Sequence, residues 1–186
     1  MSEMINLQTI RRVVSRLDLV SLMEEGFVAY SEGRVVVPPV GEMLFENPPG
    51  ETHIKYGYIK DGEYYVIKIA SGFYNNPQLG LPSSQGLMLL FSQKTGVLEA
   101  VLLDEGYLTN ERTAAAGAVA AKHLAPSKVK RIGILGSGIQ GKLQLEHLMG
   151  VVSCRQVLVW VPDPVSYTHL RAHETSLHLV CRLLLE

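Results

Sequence analysis

Between residues 7 and 30 apolar positions recur at helical spacing, with Arg11, Arg12, Glu24 and Glu25 set between them. The spacing predicts one or two amphipathic helices with a break near Leu17 and Asp18. Gly33, Pro38, Pro39, Gly41, Pro48, Pro49 and Gly50 then punctuate a loop-rich stretch that leaves room for a short strand over 34–37. Beyond it the period drops to two. Residues 53–60 alternate, Asp61-Gly62 is the dipeptide of a type I′ hairpin turn, and 63–70 return. Apolar runs over 86–92 and 97–103 flank Lys94-Thr95-Gly96 and read as a second hairpin. Together they predict a mostly antiparallel sheet. Thr109 stands where it would cap an alanine-rich helix over 110–124, stopping before Pro126.

The pattern then changes. Residues 129–135 read as a buried strand, followed by Gly136-Ser137-Gly138-Ile139-Gln140-Gly141, a helix to about Met149 and a strand over 156–161. This is the first β-α-β unit of a dinucleotide-binding fold, cut off as soon as it forms. Gly136 permits a tight turn, Gly138 lets backbone approach a pyrophosphate, and Gly141 allows close helix–strand packing. Free N–H groups and the positive dipole end at the helix N-terminus suit phosphate. The bland alternative is a glycine-rich turn with no ligand. An acid at the tip of the second strand would hold the ribose hydroxyls and favour NAD. Asp163 stands two residues late for that role, so NAD and NADP both stay open.

Composition narrows the class. The 186 residues are 47% apolar and 19% charged with a formal net charge of −1, which disfavours nucleic acid or an anionic membrane as the main partner. The N-terminus lacks the basic region and apolar run of a signal peptide, and no stretch reaches the ~18 apolar residues of a membrane helix. Cys154 and Cys181 cannot make a disulfide framework. A soluble cytoplasmic protein is expected.

Two further residues carry candidate chemistry. Arg112 is expected in the first turn of the alanine helix, where the dipole disfavours a cation. A facing carboxylate would make it comfortable there, whether from a bound ligand or from Glu111, Glu105 or Asp104. The small residues after it suit close helix packing. Lys68 lies within the apolar run 64–70 and shares a face with Val66 and Ala70. A desolvated lysine can serve as acid or base, whereas an edge-strand lysine serves only to block aggregation. His53, His123 and His147 are isolated and read as surface or satisfied histidines.

Residues 165–186 stand apart. Back-translated in one frame, 165–175 resemble a transposase-type sequencing-library adapter and 179–186 the flow-cell end of the same design. Ser176, Leu177 and His178 fall where the variable index would sit. The stretch is expected to be non-native. A natural amphipathic helix is the rival reading and would make His169, His173, Glu174 and His178 look like a metal site. Ligand-type residues encoded by an adapter carry no functional information, so no metal is assigned.

Several segments in order, Lys68-Ile69-Ala70-Ser71-Gly72-Phe73, Gly80-Leu81-Pro82-Ser83, Lys94-Thr95-Gly96, Leu108 to Ala115 with its Arg112-Thr113-Ala114-Ala115, and Ile134 to Gln140, resemble the ornithine cyclodeaminase/mu-crystallin family. The likeness covers about residues 5–164. It implies an α/β protein in which residues 1–125 form an α+β substrate-binding and dimerisation domain, itself incomplete. Residues 126–164 would begin a Rossmann NAD(P)-binding domain, truncated here. The resemblance implies NAD or NADP as cofactor and a small amino acid or cyclic imino acid as substrate, with a homodimer in the full-length protein. In cyclodeaminases hydride leaves Cα for NAD⁺, the distal amine attacks the imine, ammonia departs and hydride returns. Relatives reduce cyclic ketimines or act as amino-acid dehydrogenases.

By the same likeness Lys68 corresponds to a substrate-binding lysine and Arg112 to the carboxylate clamp. Ser83 falls at a nucleotide-contacting hydroxyl position, and Ile139 and Gln140 in the phosphate loop. Two departures stand out. The family's second carboxylate-binding arginine follows the first loop prolines, where this chain has Pro38-Pro39-Val40, and Arg34 is a weak substitute. The family's catalytic aspartate lies beyond Pro164. The expected function is an NAD(P)-dependent enzyme acting at the α-carbon of an amino or imino acid, with this fragment inactive alone. The alternative is a non-catalytic, mu-crystallin-like protein that binds NADP(H) or another small molecule.

Overall fold

The computed structural model describes residues 2–154 and 156–161 and the backbone of 178–181. Contacts divide the chain into two compact units, Met1–Asp18 with Glu25–Leu108, and Leu19–Glu24 with Thr109–Glu186.

The first unit is built on a seven-stranded sheet. Strand β1 (Glu3–Asn6) leads into helix α1 (Leu7–Val14), and α2 (Leu19–Ser31) follows. The strands β2 (Val35–Val36), β3 (Gly41–Phe45), β4 (Gly50–Ile59), β5 (Tyr64–Phe73), β6 (Ser84–Ser92) and β7 (Leu98–Leu103) complete it. Their order is β1-β7-β6-β5-β4-β2, with β3 also on β4. Every pairing is antiparallel except β1 with β7.

Local chemistry explains the helix boundaries. The Asn6 side chain accepts from Thr9 N at 3.0 Å and caps α1. Ile10 and Val14, one turn apart, are the buried residues of α1, which packs on β1 and β7. The chain breaks between α1 and α2 where the apolar spacing lapses.

Two strands were not expected. β1 is only four residues long and shows no clean alternation; it exists through its parallel register with β7, Ile5 opposite Leu102. β3 lies among the turn-forming residues and is held on β4, Gly41 opposite Ile54. The hairpin turn at Asp61-Gly62 also differs from expectation. Only Asp61 has a positive φ, 63°, whereas a type I′ turn needs both central residues there. The loop instead runs over 60–63, and the Gln93 side chain donates to Ile59 O (3.0 Å) and Tyr64 O (2.7 Å) across its mouth. Gly62 is required for space, since a Cβ would sit 2.9 Å from Ile59 O.

Register assigns the side chains of this sheet to two faces. One carries Ile54, Tyr56, Tyr58, Tyr65, Ile67, Ile69, Leu87, Leu89 and Phe91. None of these is buried; Tyr65 and Phe91 stack with centroids 4.9 Å apart. The other face carries Lys55 and Lys68.

The second unit holds most of α3 (Tyr107–Leu124), then β8 (Ile132–Leu135), α4 (Ile139–Met149), β9 (Gln156–Trp160) and β10 (His178–Cys181). The strands are parallel in the order β10-β9-β8; β8, α4 and β9 make the β-α-β unit, and β10 comes from the tail. Ile132, Leu145, Cys154, Val157, Val159 and Val161 form its buried core. Ala114, Ala115 and Ala118 of α3 are at most 1% exposed, and a Cβ on Gly117 would collide with Gln144, so the small residues do allow close packing. In the tail, His178–Cys181 is a strand beside β9, not part of a helix. His169, His173 and Glu174 lie outside the described residues.

Helix α3 begins at Tyr107, not after Thr109. The cap is the buried Asp104, whose Oδ2 accepts from Leu108 N at 2.9 Å and whose carbonyl accepts from Tyr107 N. Glu105 and Gly106, both with positive φ, turn the chain in between. Thr109 is internal to the helix, its carbonyl accepting from the Thr113 hydroxyl.

Glu24 and the C-terminal turn of α3 form an ion cluster in this unit. Glu24 Oε2 accepts from Lys122 Nζ at 2.6 Å, and Oε1 meets His123 Nε2. Hydrogen bonds from Lys122 and then His123 hold the Glu24 pKa below its ordinary value of 4.5. A depressed carboxylate stabilises the fold above its unfolded pKa and loses that contribution as the pH falls through the folded one. Glu24→Gln should therefore lower the thermal midpoint at pH 7, and the gap to the parent should close as the pH drops below 4.5. A gap that stays constant with pH would show that the charge is not the cause.

Candidate functional site

The turn from β8 into α4 has the geometry its glycines suggest. Gly136 has φ 98°, a conformation side chains rarely adopt, and its N–H donates to Trp160 O at 2.8 Å. A Cβ on Gly141 would lie 2.6 Å from Gly136 O and 3.4 Å from Ile134 Cγ2, so only glycine lets the first turn of α4 lie on β8. Gly138 is the N-cap, without any side-chain cap, and a Cβ there would meet nothing within 4 Å. The loop is tight where it packs and open where a ligand would approach. The first N–H groups of α4 lack intrahelical partners, and Ile139 and Leu135 beside them are 61% and 85% exposed. A phosphate fits this cradle on the donor chemistry alone.

Gln140 does something the sequence did not suggest. Its Nε2 donates to Asn110 O (3.2 Å) and Asn110 Oδ1 (3.1 Å), latching the start of α4 to α3. Its Oε1 is buried without a partner among the described residues. Two helical turns further along α4, His147 Nε2 meets Glu111 Oε2 at 2.9 Å, both largely buried. Nothing local in the sequence marks this pairing, because the partner of His147 lies 36 positions away. His53 likewise sits between Glu42 (3.6 Å) and Glu51 (3.4 Å).

Arg112 is the sixth residue of α3, in its second turn, because the helix starts earlier than expected. The dipole argument for a facing anion weakens accordingly. The guanidinium nevertheless stands exposed, with no hydrogen bond or ion pair to any described residue. Glu111, one of its expected partners, is held by His147. Arg34, by contrast, is engaged: its Nη2 and Nε lie 2.6 and 2.7 Å from Glu32 Oε2.

In the first unit, Lys68 lies on β5 between β4 and β6, opposite Lys55 on one side and Met88 on the other. It is half-buried and interior to the sheet, which removes the edge-strand explanation. Ser83 ends the loop after the short 3₁₀ helix Asn76–Leu79; its carbonyl accepts from Phe73 N, and the residue is exposed. The Asn76 side chain donates to Pro82 O at 3.0 Å and shapes that loop. Asp163 lies outside the described residues.

The glycine loop and the half-sheet behind it have counterparts in known proteins. The sequence profile of the ornithine cyclodeaminase/mu-crystallin family matches residues 2–174. The chain belongs to this family. It is 44% identical over 148 residues to an uncharacterized cyclodeaminase of Sinorhizobium fredii, covering 79% of this chain and 45% of that protein. It is 33% identical over 150 residues to an alanine dehydrogenase of Archaeoglobus fulgidus, covering 81% and 45%. Among solved structures, the Δ1-pyrroline-2-carboxylate reductase of Thermococcus litoralis, in complex with NADH and L-proline, superposes with a TM-score of 0.86 at 28% identity, covering 92% of this chain and 53% of that one. An archaeal alanine dehydrogenase dimer with bound NAD gives 0.89 at 25% identity, covering 98% and 56%. The chain spans about half the length of the curated relatives it matches.

The two glycines make opposite predictions. Gly141→Ala must displace backbone and should lower stability by about 1–3 kcal/mol. Gly138→Ala enters open space and should leave the thermal midpoint where it is. Equal midpoints for the two variants in a thermal melt would contradict the geometry.

Proposed function

We propose that the chain is the N-terminal part of an NAD(P)-dependent enzyme acting at the α-carbon of an amino or imino acid, by ketimine reduction or deaminating cyclisation. The observation that carries this is the β8–α4 loop, packed by Gly136 and Gly141 and open at Gly138. NAD(P), when bound, supplies the hydride acceptor or donor. The backbone N–H groups at Gly138, Ile139, Gln140 and Gly141 would hold its phosphates, and the exposed Ser83 hydroxyl would contact the nucleotide. Relatives whose structures hold NADH with L-proline, or NAD, support the assignment.

The substrate roles fall to two cations. Arg112, with no partner among the described residues, offers a rigid fork to the substrate carboxylate. Lys68 is the substrate-binding lysine and the proton donor or acceptor. Its half-buried place in the sheet interior fixes its direction better than an edge or loop would. Arg34, already engaged by Glu32, offers less to a ligand. The incompletely covered Tyr65–Phe91 face of the sheet supports a homodimer.

On this reading 1–125 form the substrate and dimerisation domain and 126–164 open the Rossmann domain. Residues 165–186 are non-native, although the family match reaches ten residues into them, to 174. The 186-residue chain should show little or no turnover, since the catalytic aspartate of the family lies beyond Pro164. Reduction of pyrroline-2-carboxylate by the purified chain would overturn that. In the full-length parent, Gly138→Ala should weaken NADH binding at an unchanged thermal midpoint, and Arg112→Ala should raise KM. Unaltered NADH affinity in the glycine variant, read by fluorescence titration, would sink the dinucleotide assignment.

A further inference from the structure

We propose that Asn110 is a positioning residue for the dinucleotide: through Gln140 it fixes the backbone N–H groups that open α4 toward the phosphates. The proposal rests on the reading above that the β8–α4 loop holds NAD(P).

The stretch from Gly136 to Gly141 has three glycines in six residues, so its own backbone restricts it little. Contacts from outside must hold it in the shape that aims its donors together. At one end the Gly136 N–H donates to Trp160 O at 2.8 Å. At the other, Gly138 caps α4 without a side chain, and the bond from Lys142 N to Gly138 O is 3.2 Å long. What secures that end is Gln140, whose Nε2 donates to Asn110 O (3.2 Å) and Asn110 Oδ1 (3.1 Å). A backbone carbonyl only accepts, so the amide nitrogen must face Asn110. The Gln140 Oε1 is thereby left buried without a partner among the described residues. An apolar side chain would fill the same space without that desolvation penalty. As packing, the amide is a poor choice; as a tether for the first turn of α4, it supplies two directed bonds.

Asn110 can serve as the fixed point because α3 is fastened to α4 elsewhere. Glu111 Oε2 lies 2.9 Å from His147 Nε2, and a Cβ on Gly117 would collide with the Gln144 side chain. Loss of the Asn110 side chain therefore loosens Gln140 without parting the helices. A loosened first turn must be ordered again when phosphate binds, and that ordering weakens affinity.

The test measures binding of NADH and of ADP-ribose to the full-length parent by calorimetric titration, beside the ligand-free thermal midpoint. Asn110→Ala removes one of the two bonds and should weaken both ligands alike, by about two- to tenfold, since both carry the pyrophosphate. Its midpoint should hold, because the better helix propensity of alanine offsets the lost bond. Gln140→Met removes both bonds and should weaken both ligands further, with the midpoint held because the unpartnered oxygen goes too. Unchanged affinities in both variants, a loss confined to NADH, or losses that follow a falling midpoint overturn the positioning role. If Gly138→Ala still weakens NADH in that case, the dinucleotide reading stands. If the parent binds neither ligand, that reading and the role of Asn110 fall together.

Discussion

The register that joins β4, β5 and β6 sets what the first unit can do. Each residue of β5 between Tyr65 and Gly72 has a fixed neighbour on both sides, so the faces of the sheet are decided together. A slip of one residue would exchange them, sending Lys68 among tyrosines and isoleucines. Gln93 helps to prevent this by tying both ends of the β4–β5 loop. Cationic chemistry on one face and a broad aromatic and aliphatic surface on the other are therefore two results of one hydrogen-bonded ladder.

In the second unit the equivalent constraint is steric. α4 lies so close on β8 that backbone carbonyl occupies the space a side chain at Gly141 would need. That closeness presents the first turn of α4 with its donors free. The latch from Gln140 to Asn110 then ties α4 to α3, which carries Arg112. Loop, latch and arginine are thus coupled through one short stretch of two helices.

Much of this was legible from residue order alone. The glycine loop could be read because each glycine has its own local reason, and those reasons operate within six residues. The long strands could be read because their alternation is strong. What failed did so because the cause was remote or subtle. β1 owes its existence to β7, nearly 100 residues on. The start of α3 was misplaced because Asp104, three residues before it, is a better cap than Thr109. The misplacement carried Arg112 into the wrong turn. Lys68 could be called edge or interior only once strand order was known, and nothing in a sequence of strands announces their order. The pairing of Lys55 with Lys68 was invisible for the same reason, since it appears only when the hairpin register is counted out.

Trp160 is the only tryptophan in the chain. It lies at the end of β9, 42% exposed, and its carbonyl receives the N–H of Gly136. The backbone that carries the indole is thus hydrogen-bonded to the residue that turns the glycine loop. The indole's emission is a single-site optical signal from that loop, against a background of tyrosines alone. Ordering, opening or occupancy of the loop would shift its colour and intensity without any label having been attached.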